Sequence, residues 1–318
     1  MRETAYITAV ARIRANENSL LTSADLDRFI SAKDIRELDS FLSDKGYSAF
    51  KQEDMFQAEN RKAWQLIREV APDFDEFYPL YARFDFHNLK AVLKGIVTGA
   101  DYEKLLLFPS SVSIADLKTA VGERKFSLLP SNMEEPAKAA YEALTHTGDG
   151  QYADLLLDRA YLDSLISFAE KQKAPFLSEF CELTVAVTDL RIAARAAKLN
   201  KGQQFMEQAI SPCRTLEKKD LISAALMGIT ALEEVLRQSA YPEAAEALKQ
   251  SLSQLEKWCD NSTAVYVRKA KYDSFGIGPL YQYLINKTSE ISAVKVIYTG
   301  KRAGLPEETI RSYLRCLS

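Results

Sequence analysis

The sequence has few residues that break regular structure, with 12 glycines and 10 prolines among 318 residues. An all-β protein of this length needs many tight turns, so this shortage favours long helices. The four cysteines have none of the close spacings of zinc or redox motifs, which indicates reduced thiols inside a core. No apolar run approaches the length of a membrane span, and the N-terminus has no apolar core of a signal peptide. The sequence therefore predicts a cytoplasmic protein.

A strong charge of one sign is also absent, since the formal net charge is −3 at pH 7. This balance gives no reason to expect a nucleic-acid partner. The two histidines, His87 and His146, have no metal-binding spacing, and no phosphate-binding or nucleophile-turn motif occurs. Gly300 and Lys301 lack the rest of a phosphate loop, so we interpret Gly300 as the left-handed cap that ends a helix. We expect no catalytic residue, no metal site and no cofactor.

The string Asp73-Phe-Asp75-Glu76 is the strongest candidate for catalysis. All-α prenyl-transferring enzymes hold Mg²⁺-diphosphate with aspartate-rich helices, because carboxylate oxygens suit hard cations. The spacing here differs from theirs, and no second acidic cluster pairs with it. The string follows Pro72, where acidic residues suit a helix start. We prefer the helix start, and an enzyme of this class is the alternative that Mg²⁺-diphosphate binding would reveal.

Apolar residues recur with helical spacing along almost the whole chain, of which 47% is hydrophobic. Ser31-Ala-Lys-Asp34 has the pattern of a capping box and predicts a short helix through Phe41. No alternating strand pattern of useful length occurs. The predicted fold class is all-α, with longer helices at 54–70, 75–98, 152–169, 176–199, 220–238, 278–298 and 306–317.

Three of these long helices share one layout, which indicates an internal repeat. The second half of each carries a triplet that ends in an apolar residue and a base: Asn88-Leu-Lys90, Asp189-Leu-Arg191 and Ala293-Val-Lys295. The triplets lie about a third of the chain apart, too far for tetratricopeptide, HEAT or armadillo repeats. We predict three multi-helix units, at residues 1–100, 101–204 and 205–318, with terminal helices free to pack across units.

The polar repeat positions form the candidate site: Asp85, Asn88, Lys90, Asp189, Arg191, Glu290 and Lys295. Buried polar groups need hydrogen-bond partners, so we prefer a structural role in which they fix each long helix to a neighbour. Contact with a partner protein is the alternative. Lys94 and Arg195, one turn further along, are expected either to extend their charged ends to solvent along the apolar surface or to approach carbonyls at helix C-termini.

Three segments resemble the C subunits of the archaeal and bacterial V/A-type ATPases, the counterparts of the d subunit in the eukaryotic vacuolar ATPase. They are Tyr6-Ile-Thr-Ala-Val-Ala-Arg-Ile-Arg-Ala-Asn-Glu17, Asp85-Phe-His-Asn-Leu-Lys90 and Glu290-Ile-Ser-Ala-Val-Lys-Val-Ile-Tyr-Thr-Gly-Lys-Arg-Ala-Gly-Leu-Pro-Glu307. The resemblance extends from about residue 5 to the C-terminus. The middle unit matches mainly at Leu162 and the Asp189 triplet. Ala293 departs from the family, which more often has a polar amide there.

The resemblance implies three similar all-helical units around a pseudo-threefold axis, forming a funnel. It implies a non-catalytic central-stalk rotor subunit that couples the shaft, made by the D and F subunits, to the membrane proteolipid (c/K/L-type) ring. The process would be ATP-linked proton or sodium transport, with the protein peripheral on the cytoplasmic face and not inserted in the membrane.

No partner-binding residue is identified, although we expect the loops between units, rather than the triplets, to contact shaft and ring. Outside the complex we expect a monomer, because the three units fill the places that an oligomer would fill. An all-helical scaffold or adaptor unrelated to ion transport is the alternative function.

Overall fold

The computed structural model describes residues 5–47 and 52–314. Within these residues the chain forms sixteen α-helices, four short 3-10 helices and no β-strand, which confirms the predicted all-α class. No helix there combines the length and the apolar character that a membrane span requires. The α-helices are α1 (Ile7–Glu17), α2 (Ser23–Ile30), α3 (Ile35–Asp44), α4 (Gln52–Val70), α5 (Tyr78–Thr98), α6 (Ile114–Gly122), α7 (Ser131–Thr147), α8 (Gly150–Lys171), α9 (Pro175–Lys198), α10 (Gln203–Ala209), α11 (Lys218–Met227), α12 (Ile229–Arg237), α13 (Pro242–Gln250), α14 (Leu252–Arg268), α15 (Gly278–Arg302) and α16 (Glu307–Tyr313).

The predicted capping box at Ser31 is wrong. Ser31 lies at the C-terminal end of α2, where its hydroxyl donates to the carbonyl of Asp27 at 2.9 Å. The capping box belongs to Thr22, whose side chain accepts from the backbone N–H of Asp25 while the Asp25 carboxylate accepts from the N–H of Thr22. Asp34 alone caps α3. Ser31 and Asp34 thus have the spacing of a capping box, but Ser31 ends α2 and does not begin α3.

The predicted long helices lie where α4, α5, α8, α9 and α15 lie, with ends shifted by a few residues. The predicted helix at 220–238 is instead two helices, because Gly228 has φ 109° and ψ −177° and interrupts the helical backbone. The last predicted helix is α16, with Pro306 as its N-cap. Residues 315–317 of that prediction, and Cys316, lie outside the described residues.

Contacts divide the chain into two compact units. One contains the described residues up to Asp75 together with those from Ala264 onward, and in it α15 packs against α1, α2, α3, α4 and α16. The other is Glu76–Thr263, in which α5 packs against α6, α7 and α8, and α9 packs against α8, α10, α11 and α12. The division into three units at residues 100 and 204 stays a prediction.

Three hydrophobic clusters are each organised around the second half of a long helix. When the helices are aligned on their triplets, the same register positions are buried in all three. This matched burial is what an internal repeat predicts. The equivalent residues are Leu89, Val92 and Leu93 of α5, Leu190, Ala193 and Ala194 of α9, and Val294, Ile297 and Tyr298 of α15.

A small residue stands at one further equivalent position, occupied by Gly95, Ala196 and Gly300. A Cβ on Gly95 would collide with the ring of Tyr102, and a Cβ on Gly300 would lie 2.7 Å from Cγ1 of Ile310. The prediction that Gly300 is a left-handed cap is therefore wrong, because the residue lies inside α15. It is a glycine because α16 approaches closely there.

Gly300→Ala should lower the free energy of unfolding by about 1–3 kcal/mol, because the added methyl group must displace Ile310 from a packed position. Gly122→Ala in α6 is the matched control, since its Cβ would meet no atom within 4 Å. The control should be neutral or stabilising by up to about 1 kcal/mol. Urea unfolding measures both, and equal stability of Gly300→Ala and the parent would show that α16 does not pack against Gly300.

Candidate functional site

The long helices α5, α9 and α15 bury polar side chains among apolar neighbours at the candidate positions. Asp85, Asn88, Asp189 and Glu290 are each at most 2% exposed. A buried polar group without a partner costs about 1–3 kcal/mol, so these four side chains need local partners. In each helix the partners include the backbone of a segment that is distant in sequence. We call these contacts the loop anchors.

The first loop anchor joins α5 to the segment before α6. The carboxylate of Asp85 accepts from the backbone N–H of Ser111 at 2.7 Å and from the hydroxyls of Ser110 and Ser111 at 2.8 and 2.6 Å. The amide of Asn88 accepts from the N–H of Leu107 at 2.8 Å and donates to the carbonyl of Leu107 at 2.9 Å. The backbone of this segment is therefore held at two points by one helix.

The second loop anchor joins α9 to the segment between α10 and α11. The backbone N–H of Ser211 donates to Oδ1 of Asp189 at 3.1 Å, and the hydroxyl of Ser211 donates to Asp163 of α8 at 2.7 Å. Near the start of α9, Glu182 accepts from the N–H and the hydroxyl of Thr215 at 2.8 and 2.9 Å. The segment is again held at two points.

Asp189 differs from Asp85 because its second oxygen, Oδ2, is buried and has no hydrogen-bond partner among the described residues. Burial raises the pKa of Asp189 to about 8, and the N–H of Ser211 and the charges of Arg159 and Lys218 offset this only in part. The side chain therefore carries a proton through most of the physiological pH range.

The third loop anchor joins α15 to the N-terminal part of the chain. The carboxylate of Glu290 accepts from the backbone N–H of Leu21 at 2.8 Å, from the hydroxyl of Tyr47 at 2.7 Å and from the ammonium of Lys287 at 2.6 Å. Lys287 also pairs with Glu59 of α4 at 3.0 Å. Two buried carboxylates thus share one ammonium.

The charges of this cluster stabilise one another. Burial alone would lower the pKa of Lys287, but Glu290 and Glu59 raise it above its ordinary value. Burial and the neighbouring Glu290 raise the pKa of the Tyr47 phenol, which therefore stays a hydrogen-bond donor. Removing one member would leave an uncompensated buried charge.

The bases of the first two triplets, together with the bases one turn after them, form matching ladders of ion pairs with helices that come later in the sequence. In α5 the pairs are Lys90–Asp158 at 2.6 Å and Lys94–Asp154 at 2.5 Å, and in α9 they are Arg191–Asp260 and Arg195–Glu256, both at 2.7 Å. Of the two alternatives predicted for Lys94 and Arg195, the approach to helix carbonyls is wrong, because α8 and α14 bring acids to them. Lys295 of α15 is exposed and has no ion pair with a described residue.

These ladders orient the helices and contribute little to stability. Their side chains are between 23 and 59% exposed, and exposed ion pairs contribute about 0–1 kcal/mol each. The buried loop anchors therefore have the larger energetic role.

The string from Asp73 to Glu76 forms a local turn before α5. Oδ1 of Asp73 accepts from the backbone N–H of Asp75 at 3.0 Å, and a 3-10 helix begins at Asp75. In the part of the chain that the structure describes, no three histidine, cysteine or acidic side chains are grouped so that they could hold a metal ion. His87 contacts the carbonyl of Leu105 at 2.9 Å.

The sequence profile of the ATP synthase (C/AC39) subunit family matches residues 9–313. The chain belongs to this family. The C subunit of the V-type sodium ATPase of Enterococcus hirae is 24% identical to it over 95% of this chain and 96% of that protein. The C subunits of the A-type ATP synthases of Methanocaldococcus jannaschii and Methanosarcina mazei are 26 and 24% identical, over 97% of this chain and 86 and 92% of their own lengths. The resemblance to the C subunits is confirmed.

The structure explains how an apolar residue, Ala293, can stand at the first position of the third triplet. Ala293 occupies the register position of Asn88 and Asp189 and packs in a hydrophobic cluster, 5% exposed. Glu290 lies at the register position of Asp85 and supplies the acceptor for the loop instead. An acceptor at either position therefore suffices to hold a loop.

Several residues of the anchors were not predicted from the sequence. Glu182 is a charged residue within an otherwise apolar stretch of α9, and this could have indicated burial. Lys287 gives no such signal, because it lies within a polar stretch of α15. Tyr47 and Glu59 carry no such signal, because their contacts with Lys287 and Glu290 depend on the tertiary fold. The equivalence of the seven predicted site residues as repeat positions stays a prediction.

Asp189→Asn should remove a pH-dependent loss of stability. The pKa of Asp189 is raised from 3.8 to about 8 in the folded state, so its contribution is fully present below pH 3.8 and is lost as the pH rises to about 8. Asparagine does not ionise, and Asn88 shows that an amide can hold loop backbone at the same register position. A pKa change from 3.8 to about 8 corresponds to about 6 kcal/mol, so the variant should gain up to about this much stability over the parent between pH 4 and pH 8.

Urea unfolding at several pH values measures this difference. Asp158→Asn is the control, because that carboxylate belongs to an exposed ion pair. This variant should not gain stability over the parent as the pH rises from 4 to 8. A stability difference for Asp189→Asn that stays constant from pH 4 to pH 8 would contradict the protonated state of Asp189.

Proposed function

We propose that the protein is the non-catalytic central-stalk rotor subunit of a V/A-type ATPase or ATP synthase. In this role it couples the shaft, made by the D and F subunits, to the proteolipid ring during ATP-linked proton or sodium transport. The family match over residues 9–313 carries the proposal. Relatives named as C subunits of V-type and A-type enzymes align with nearly the whole chain, so the likeness is not confined to one part of it. Its place would be peripheral, on the cytoplasmic face.

A rotor coupling must transmit torque without yielding, and the loop anchors suit this demand. The long helices α5, α9 and α15 have 21, 24 and 25 residues, so the longest spans about 37 Å. Their connecting segments are tied to helix interiors by buried side chains. A force that pulls such a segment away must expose an unpaired buried polar group, which costs about 1–3 kcal/mol at each contact. Close packing of the cores adds further resistance to deformation. The funnel-shaped arrangement of three units stays part of this proposal.

The segment between α5 and α6 supplies a contact surface for shaft or ring, in line with the expectation that loops between units bind partners. Leu105, Leu107 and Phe108 are 55, 39 and 37% exposed. The backbone of Leu107 is held by Asn88 at both its N–H and its carbonyl. Exposed apolar side chains on a fixed backbone bind a partner at a low cost in conformational entropy.

Purification of the tagged chain from its native membranes in mild detergent tests the proposal. Mass spectrometry should find the catalytic subunits, the shaft subunits and the proteolipid with the parent chain. Recovery of none of them, while the ATPase complex is intact elsewhere in the lysate, would contradict the rotor function and favour the scaffold.

The same purification tests the contact surface. Leu105→Ser should reduce recovery of the other subunits by about tenfold, because removing an interface anchor costs about 1.4 kcal/mol or more. Its melting temperature should match that of the parent, since the side chain is exposed. Leu128→Ser is the matched control, at 48% exposure outside this segment. Equal recovery for both variants would remove the segment from the interface.

A further inference from the structure

The segment between α14 and α15 forms an exposed turn rich in bases and aromatic side chains. Tyr272 is 87% exposed and Phe275 is 57% exposed. Three exposed bases flank them, Arg268, Lys269 and Lys271, and none forms an ion pair with a described residue. We call residues 268–276 the basic-aromatic turn. Two exposed aromatic side chains within four residues of each other, next to three bases, form a candidate contact surface.

The backbone of the basic-aromatic turn is fixed by local contacts. The carboxylate of Asp273 accepts from the N–H groups of Phe275 and Gly276 at 3.0 and 2.9 Å. The N–H of Asp273 donates to the carbonyl of Ala270 at 3.1 Å, and the guanidinium of Arg14 in α1 donates to the carbonyl of Lys271. The aromatic side chains are therefore presented to solvent by a backbone that is already ordered.

We infer that the basic-aromatic turn binds a carboxylate-rich surface of a neighbouring subunit in the complex. Tyr272 and Phe275 enter the apolar centre of this contact, and Arg268, Lys269 and Lys271 pair with acids around it. Tyrosine and arginine are enriched among the residues that contribute most to binding, and an ordered turn loses little entropy on association. The three bases favour approach of an acidic partner. The identity of the complex rests on the proposed function, whereas the chemistry of the turn does not.

An anionic membrane is the weaker candidate for the same turn. A base near such a surface contributes about 1 kcal/mol to membrane binding. The negative charge of Asp273 offsets the positive charge of one of the three bases. Stable attachment to a bilayer needs a second anchoring contribution in addition to a weak electrostatic attraction of this size. An acidic protein surface can pair with the bases of the turn and can also bury its aromatic side chains, so it accounts for both features.

Zero-length cross-linking with a carbodiimide tests the proposed contact in native membranes. The reagent joins a lysine amine to a carboxylate only when the two groups touch. Mass spectrometry should find Lys269 or Lys271 joined to aspartate or glutamate of another subunit. Lys269→Arg combined with Lys271→Arg keeps both charges but removes both amines, so it should lose these links and keep its place in the complex. Links from other exposed lysines, such as Lys295, without any from Lys269 or Lys271 would overturn the inference.

Removal of the aromatic side chains supplies an independent measurement. Tyr272→Ser combined with Phe275→Ser should speed dissociation of the chain from the complex by about tenfold or more, with an unchanged melting temperature. Tyr313→Ser in α16, at 61% exposure, is the matched control and should dissociate at the parent rate. Dissociation of the double variant at the parent rate would overturn the inference.

Two further outcomes separate the alternatives. Loss of binding to phosphatidylglycerol vesicles by the double variant, with its place in the complex unchanged, would overturn the protein contact in favour of lipid. Links from Lys269 or Lys271 to acids of a protein outside any ATPase would support the chemistry of the turn and contradict the proposed function.

Discussion

The packing of this protein depends on buried acceptors that hold the backbone of distant loops against long helices. Asp85 binds the N–H of Ser111, Asp189 binds that of Ser211, and Glu290 binds that of Leu21. Apolar burial is non-directional, so it makes the chain compact without fixing where each loop meets its helix. A hydrogen bond from one backbone N–H to one buried oxygen is directional, and a displaced loop would leave that oxygen unpaired. The loop anchors therefore set the register of the fold.

The buried carboxylates of the three anchors are compensated in different ways, by hydrogen-bond donors or by a counter-charge. Asp85 has hydroxyl and backbone donors around both oxygens, whereas Glu290 is neutralised by Lys287 within an ionic cluster. Asp189 has one backbone donor and an unpartnered oxygen, and burial raises its pKa because that single donor offsets the loss of solvent only in part. The Glu290 anchor also joins the N-terminal part of the chain to α15, which ties the two ends of the sequence into one compact unit.

The fold class and the long helices could be predicted from the sequence because helical periodicity is a local signal. The sequence also drew attention to Asp85, Asp189 and Glu290, since these acids interrupt the apolar faces of the long helices. Their partners could not be located, because a backbone N–H such as that of Leu21 has no signature in the sequence. The same limit explains the error at Gly300, whose glycine is required by the distant Ile310. It also explains why the acids that face Lys94 and Arg195 were missed.

The most direct test of the anchors is hydrogen exchange measured on individual amides by NMR. The N–H groups of Leu21, Ser111 and Ser211 lie in loops, yet they should exchange as slowly as amides inside α5 and α9, because buried side chains hold them. In Asp85→Ala, protection should fall at Ser111 and persist at Leu21 and Ser211. Exchange of all three amides in the parent as fast as that of unprotected loop amides would contradict the role of the loop anchors.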